Sequence, residues 1–283
     1  MNILMIGAHP DDCDFRCSGL AAKYVKAGHK VKFLSICNGC GGHQSTDPNE
    51  IAGRRFGESR AAANVIGIDY DVWDIPDCTV VNDLHTRERL ICYMRAFVPD
   101  LVITHRTNDY HADHRAAGLL VQDASYLLIV PNCCPQAPAM RRMPVIAFFA
   151  DSFQNPPFRP DIVIETDEEV TLKFQMADKH VSQVYEWLPY IKDQLDTVPQ
   201  DAKARFEWLI GTPVTQETTD EEILTMEGNY AKRFALPAAQ YRKELIARYG
   251  EERGRKVRSA EAFEISEYGT QLTPELEKKL FPF

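Results

Sequence analysis

The chain has 283 residues, of which 45% are hydrophobic and 26% charged, with a formal net charge of −9, which is ordinary for a globular protein of one large domain or a domain plus a small extension. That acidic balance argues against a nucleic-acid or anionic-membrane partner, since either needs a basic face, and no stretch offers the roughly 20 apolar residues of a membrane span. The amino terminus lacks a cationic secretory region and the eight cysteines are scattered, so the expectation is a cytoplasmic chain with free thiols.

The apolar run Ile3-Leu4-Met5-Ile6-Gly7-Ala8 predicts a buried strand over residues 2–8. A helix is expected over 15–28, ending near Gly28, followed by a strand from Val31 to Ile36 and a loop rich in Gly, Asn and Asp from Asn38 to Asn49. A second helix runs from about Ile51 to Ile66 and stops at Gly67. Tyr70 to Trp73 read as a short strand, and Asp83 to Phe97 as a helix halted before Pro99. Leu101 to Thr104 is the next strand, and about His111 to Leu128 the next helix. Strands at Val145 to Phe149 and Asp161 to Glu165 precede a helix from Glu168 to Gln183.

This alternation implies βαβ units and an α/β fold with a mostly parallel, doubly wound sheet flanked by helices. From about Ala202 onward strand patterns vanish and charges become dense, as in Glu251-Glu252-Arg253 and Arg255-Lys256. The expected organisation is a core over residues 1–200 with a helical, partly irregular extension over 201–283, packed on the core as one domain. The extension is left between two roles, a cover over the site and a subunit contact in a homo-oligomer.

Two clusters carry the chemistry. His9-Pro10-Asp11-Asp12 follows the first strand, and Tyr110-His111-Ala112-Asp113-His114-Arg115 follows Leu101 to Thr104. Ligands of open α/β sheets bind at the carboxyl ends of strands. Asp and Pro are favoured turn residues, so His-Pro-Asp-Asp alone is more often a solvated turn, and Asp113 could merely stabilise a helix start. Two such clusters, each after an apolar strand, favour a metal site. A catalytic zinc takes three protein ligands and keeps a place for water. The clusters can supply two His and one Asp, with Asp11 spare as a general base.

Ala8-His9-Pro10-Asp11-Asp12, His111-Ala112-Asp113-His114, and the segment with Ala177, His180, Ser182 and Gln183 together resemble the LmbE/PIG-L-like N-acetylglucosaminyl deacetylases. Arg55 to Glu58, followed by Ala61-Ala62-Ala63 and Gly67, fits the same pattern, and the resemblance covers about residues 1–185. It implies a Rossmann-like fold, one zinc per chain (iron(II) suits the same donors), and removal of an N-acetyl group from an amino sugar or glycoconjugate. On this resemblance His9, Asp12 and His114 are the metal ligands and Asp11 the base. His111 would stabilise the oxyanion or protonate the leaving amine. Asp113 would orient a histidine, and Arg55 would contact substrate. Departures are Cys13 where Glu is common, Arg16 where Gly is usual, Ala112 for a frequent Pro, Cys40 at an Asp position and Lys232 at a Glu position.

Asp109 and Tyr110 are expected to line the pocket, and His43, in the Gly-rich loop, is left between reaching it as a substrate contact and a solvent-exposed place in the loop. Cys37 and Cys40 lack the second pair of a Cys₄ zinc site. His105 reads as structural, and His180 is left between a core role and substrate contact. Gly39, Gly41 and Gly42 suggest a phosphate cradle, without a Walker lysine to support it. Trp187-Leu188-Pro189-Tyr190 offers either an aromatic platform for a sugar or plain packing. Two rival functions stand beside the deacetylase: a non-catalytic metal or sugar binding protein, and a zinc amidase for a non-sugar amide.

Overall fold

The computed structural model describes residues 1–283. Seven strands, β1 (Asn2–Gly7), β2 (Lys30–Ser35), β3 (Asp69–Val72), β4 (Leu101–Thr104), β5 (Val145–Phe149), β6 (Ile162–Glu165) and β7 (Ala260–Gly269), form one sheet in the order β3-β2-β1-β4-β5-β7-β6. The first five are parallel, and β7 runs antiparallel to both β5 and β6. The mostly parallel, helix-flanked sheet read from the alternation of elements is therefore present.

Helices cover both faces, which explains the unbroken apolar strands. Ile3 and Met5 point into one core with Tyr24, Phe33 and Ile103, while Leu4, Ile6 and Ala8 enter the other with Leu34, Val102 and Leu120. The chain adds β2 and β3 on one side of β1, then crosses to place β4 on the other. Strand order reverses between β1 and β4, and the crevice at their carboxyl ends is where such folds bind ligands. No helix is long and apolar enough to cross a membrane.

Helix boundaries follow local chemistry. Helix α2 (Pro48–Ile66) ends on Gly67 at φ 73°, a left-handed position that glycine takes without strain. Helices α3 (Leu84–Phe97) and α4 (Ala112–Leu127) start on Asp83 and His111, whose side chains accept backbone N–H groups of the first turn. Helix α1 (Asp12–Lys26) begins three residues before the expected start, so the acid pair forms its opening turn, and it breaks at Cys17 (φ −147°, ψ 17°).

One expectation is corrected. The extension is helical over much of its length, as at Tyr230–Gln240 and Arg242–Tyr249, but it also supplies β7, inserted between β5 and β6. Ala260 and Ala262 face a core with Val163 and Val257, while Phe263 enters the core beneath β1. Ala and Glu are poor strand formers, so Ala260-Glu261-Ala262 carried no strand pattern. Glu261 is nonetheless buried: its carboxylate accepts the N–H groups of Gly19 (2.9 Å) and Leu20 (2.8 Å), just past the break in α1. Lys173, from α5 (Val170–Lys179), places Nζ 2.9 Å from the same carboxylate.

Candidate metal centre and reaction cavity

The turn from β1 into α1 folds back on itself: Asp12 Oδ2 accepts the backbone N–H of His9 at 2.8 Å. This puts both side chains at the strand-order crevice. The first turn of α4 delivers His114 to the same point from the neighbouring strand. His9 Nδ1 lies 3.1 Å from His114 Nε2 and 3.5 Å from Asp12 Oδ2, and His114 Nε2 lies 3.4 Å from Asp12 Oδ1. Donors about 2 Å from a tetrahedral zinc stand roughly 3.3 Å apart, and each histidine meets that spacing against one oxygen of Asp12; His9 and His114 also group with His111, and Asp12 and His114 with His105, as possible donors to one ion.

The partners of the opposite ring nitrogens support the same reading. His114 Nδ1 is 2.9 Å from Asp109 Oδ1, and His9 Nε2 is 3.1 Å from Asp77 Oδ1 and 3.4 Å from Asp113 Oδ2. With those nitrogens donating to carboxylates, the remaining lone pairs point at each other. A positive charge between them, either a proton or a metal ion, removes the conflict. Burial lowers the proton affinity of His9, but Asp113, Asp12 and Asp77 outweigh it and hold the ring well above the ordinary histidine value. A metal would replace that proton. His105 stacks on His114 at 4.0 Å and sets Nε2 3.1 Å from Asp12 Oδ2. Burial pushes its pKa down to about 4, leaving the ring neutral at pH 7.

Asp11 stands outside this donor set. It opens onto a cavity of about 220 Å³ shared with His9, Asp12, His111 and His114. Its Oδ1 is 3.1 Å from Arg55 Nη2, and Arg55 Nη1 donates to the Gly39 carbonyl at 3.1 Å. Gly39 sits at φ 67° against the guanidinium, and a Cβ there would collide with it. The glycine-rich loop therefore serves to close over Arg55. Glu58, one turn along α2 from Arg55, accepts the N–H and hydroxyl of Ser182 at 2.8 and 2.6 Å, so the two motifs lock together.

His111 Nδ1 accepts the Asp113 N–H at 3.2 Å, which leaves Nε2–H as a donor. Burial, with His9 and His114 close by, lowers its pKa, so the ring is neutral at pH 7. A neutral ring with Nε2–H offers a hydrogen bond to a developing oxyanion more readily than a proton to an amine.

Two expectations about substrate contact are revised. Asp109 is buried behind His114 and does not line the cavity, because its carboxylate is spent on the ring and on the His111 N–H. His43 turns to Glu186 (2.8 Å), with its Nδ1 accepting the Thr46 N–H, and also lies off the cavity. Tyr110, Arg55 and Trp187 line it. Asp113 faces His9 and accepts the N–H groups of Cys78 and Val80 at 2.7 and 3.2 Å, tying the loop after β3 to the centre. His180 is core: fully buried, it lies 3.2 Å from Asp14 Oδ2, in a charge contact off the line of a hydrogen bond.

Sequence reasoning missed Asp77, Cys78 and Arg233, which also line the cavity. Burial opposes ionisation of Asp77, yet His9 and Arg55 overcome it and hold the carboxyl well below the usual range. The motif Pro76-Asp77 past a third parallel strand end was the available clue. Since Asp109 fixes the tautomer of His114, Asp109→Asn is expected to weaken zinc binding by about 10–100-fold, read by competition with a chromogenic chelator. Unchanged affinity would remove Asp109 from the centre.

Comparison with known proteins gives one fold and two kinds of activity among the chain's relatives. Residues 4–125 match the family described as "PIG-L: GlcNAc-PI de-N-acetylase". The chain is 24% identical over 197 residues, 67% of its length and 76% of the relative's, to a 4-oxalmesaconate hydratase of Pseudomonas putida. The N,N'-diacetylchitobiose deacetylase of Pyrococcus horikoshii shares the fold with a TM-score of 0.67 and 19% identity, over 94% of this chain and 83% of that one. The 4-carboxy-2-hydroxymuconate hydratase of Pseudomonas putida KT2440 does so with a TM-score of 0.70 and 17% identity, over 96% and 98%.

Proposed function

Because residues 4–125 carry the PIG-L family pattern, we propose that the chain is a metal-dependent hydrolase that removes an N-acetyl group from an amino sugar or glycoconjugate. The observation that carries the reading is Asp11, a carboxylate beside the His9–Asp12–His114 donors but not among them, facing the cavity. A merely structural metal site has no use for that spare base.

His9, Asp12 and His114 would hold the ion. When bound, zinc lowers the pKa of a coordinated water toward 7 and polarises an acyl oxygen. Asp11 accepts a proton from the attacking water, with Arg55 fixing the orientation of its carboxylate. Nε2–H of His111 donates to the oxygen on which negative charge develops. Asp11, now protonated, is the chain's source of the proton for the leaving amine. Zinc is the first metal expected, and iron(II) suits the same donors. All eight cysteines are free, which suits a reducing compartment, and the proposal places the enzyme in the cytoplasm.

A second reading, addition of water across the double bond of an unsaturated carboxylate, is favoured by the likeness, in sequence and in fold, to hydratase activity in Pseudomonas putida KT2440 and by the arginines on the cavity wall. The same base and the same oxyanion donor serve both reactions. The zinc-loaded protein should release acetate from conjugates of N-acetyl amino sugars, measured by a coupled acetate assay. Absence of acetate, with bleaching of a conjugated dienoate, would replace hydrolysis by hydration.

A further inference from the structure

Two guanidinium groups on the cavity wall, those of Arg16 and Arg233, form no ion pair with an acid. Arg233, on the helix Tyr230–Gln240, is exposed at the mouth, with its guanidinium carbon 4.8 Å from the Phe15 ring centroid and 5.7 Å from that of Tyr230. No hydrogen bond or ion pair of the chain uses its guanidinium. Arg16 is half-buried; Nη1 donates to the Ala150 carbonyl at 2.8 Å, and no carboxylate lies within ion-pairing reach. Arg55, in the same cavity, is by contrast matched by Asp11 at 3.1 Å.

Charge makes the contrast matter. The cavity wall carries Asp11, Asp12 and Asp77 against Arg16, Arg55 and Arg233. Asp11 and Asp77 face Arg55, and Asp12 faces His9, His105 and His114, so these three acids are committed away from Arg16 and Arg233. A planar guanidinium presents a rigid fork that matches two carboxylate oxygens, and two such forks in a small cavity select strongly by charge. Arg233 also borders an adjoining cavity of about 350 Å³ lined by Leu188, Trp208 and Leu236, which leaves room for the rest of a molecule anchored there.

We infer that the substrate bears at least one carboxylate, separate from the reacting group, which is bound by Arg233 and Arg16. The inference rests on the reading that this cavity is the reaction site. A neutral N-acetyl sugar would leave both guanidiniums without a partner. A substrate with a carboxylate a few bonds from the reacting carbonyl or double bond uses them.

The test is calorimetric binding of glutarate against its neutral isostere glutaramide at low ionic strength. It is run on the zinc-loaded protein, on the Asp12→Ala variant without metal, and on Arg16→Gln, Arg233→Gln and the double variant. Glutarate is expected to bind at least about tenfold tighter than glutaramide in the wild type and in Asp12→Ala, with most of that ratio lost in each arginine variant and all of it in the double. Equal affinities, no binding by either probe, or a ratio indifferent to both arginines would overturn the inference. So would a ratio that vanishes in Asp12→Ala, which assigns the carboxylate to the ion, or tighter binding of inorganic phosphate than of glutarate. Failure of the hydrolase reading is a separate result: no acetate released while the carboxylate preference persists.

Discussion

Asp11→Asn is expected to lower turnover by about 10²–10⁴-fold while leaving the metal in place. Asparagine keeps the shape and still offers an oxygen to Arg55, but it cannot accept the proton of water. The donor atoms of His9, Asp12 and His114 lie elsewhere, so metal content should not change. A competing account makes Asp11 only the counter-ion of Arg55, a group buried to 2% exposure with Asp77 a distant second partner at 3.9 Å. On that account the variant loses stability and activity together. The base role requires that kcat fall much further than the folded fraction, so steady-state kinetics belong beside a thermal melt. Wild-type turnover in Asp11→Asn would end the base assignment.

The second large effect concerns a residue some 250 positions from the first motif, Glu261, on β7. Its carboxylate binds two N–H groups at the break in α1 and is neutralised by Lys173 at 2.9 Å, with both side chains no more than 3% exposed. The second half of α1 starts just past Cys17, and its free N–H groups, with the dipole behind them, favour an anion. Removing one member of a buried ion pair strands the other, at a cost of about 3–5 kcal/mol. Glu261→Ala is expected to lose that much in urea unfolding. Lys173→Met combined with Glu261→Gln should recover a good part of it, since no charge is then left buried. A loss under about 1 kcal/mol for Glu261→Ala would show that the break in α1 holds itself.

Both effects trace back to how the sequence encodes the fold. Three of the five parallel strands, at Ile3 to Ala8, Leu101 to Thr104 and Val145 to Phe149, were legible as apolar runs bounded by turn residues, and the other two, with Lys32 in β2 and Asp71 in β3, from their β-branched and aromatic residues between helices. The candidate site was legible for a related reason: His9, Asp11 and Asp12 follow one such strand directly, His111 and His114 follow another after a short loop, and those strands are neighbours. Strand β7 was not, because its pairing is non-local and its buried polar residue, Glu261, answers to a helix end distant in sequence. Asp77 escaped for the same reason. It lies on the loop after β3, and only the folded sheet brings it to His9. Asp109 and His43 were misplaced because adjacency in sequence says nothing about which way a side chain turns. Asp109 turns to His114 and His43 to Glu186.

Metal content measured on the purified wild type and on Asp12→Ala tests the central claim most directly. After zinc loading and gel filtration, elemental analysis should find about one zinc per wild-type chain and a small fraction of that in Asp12→Ala, with both proteins folded by circular dichroism. A wild type that retains no zinc, or a variant that retains as much as the wild type, would contradict the His9–Asp12–His114 centre and every chemical step built on it.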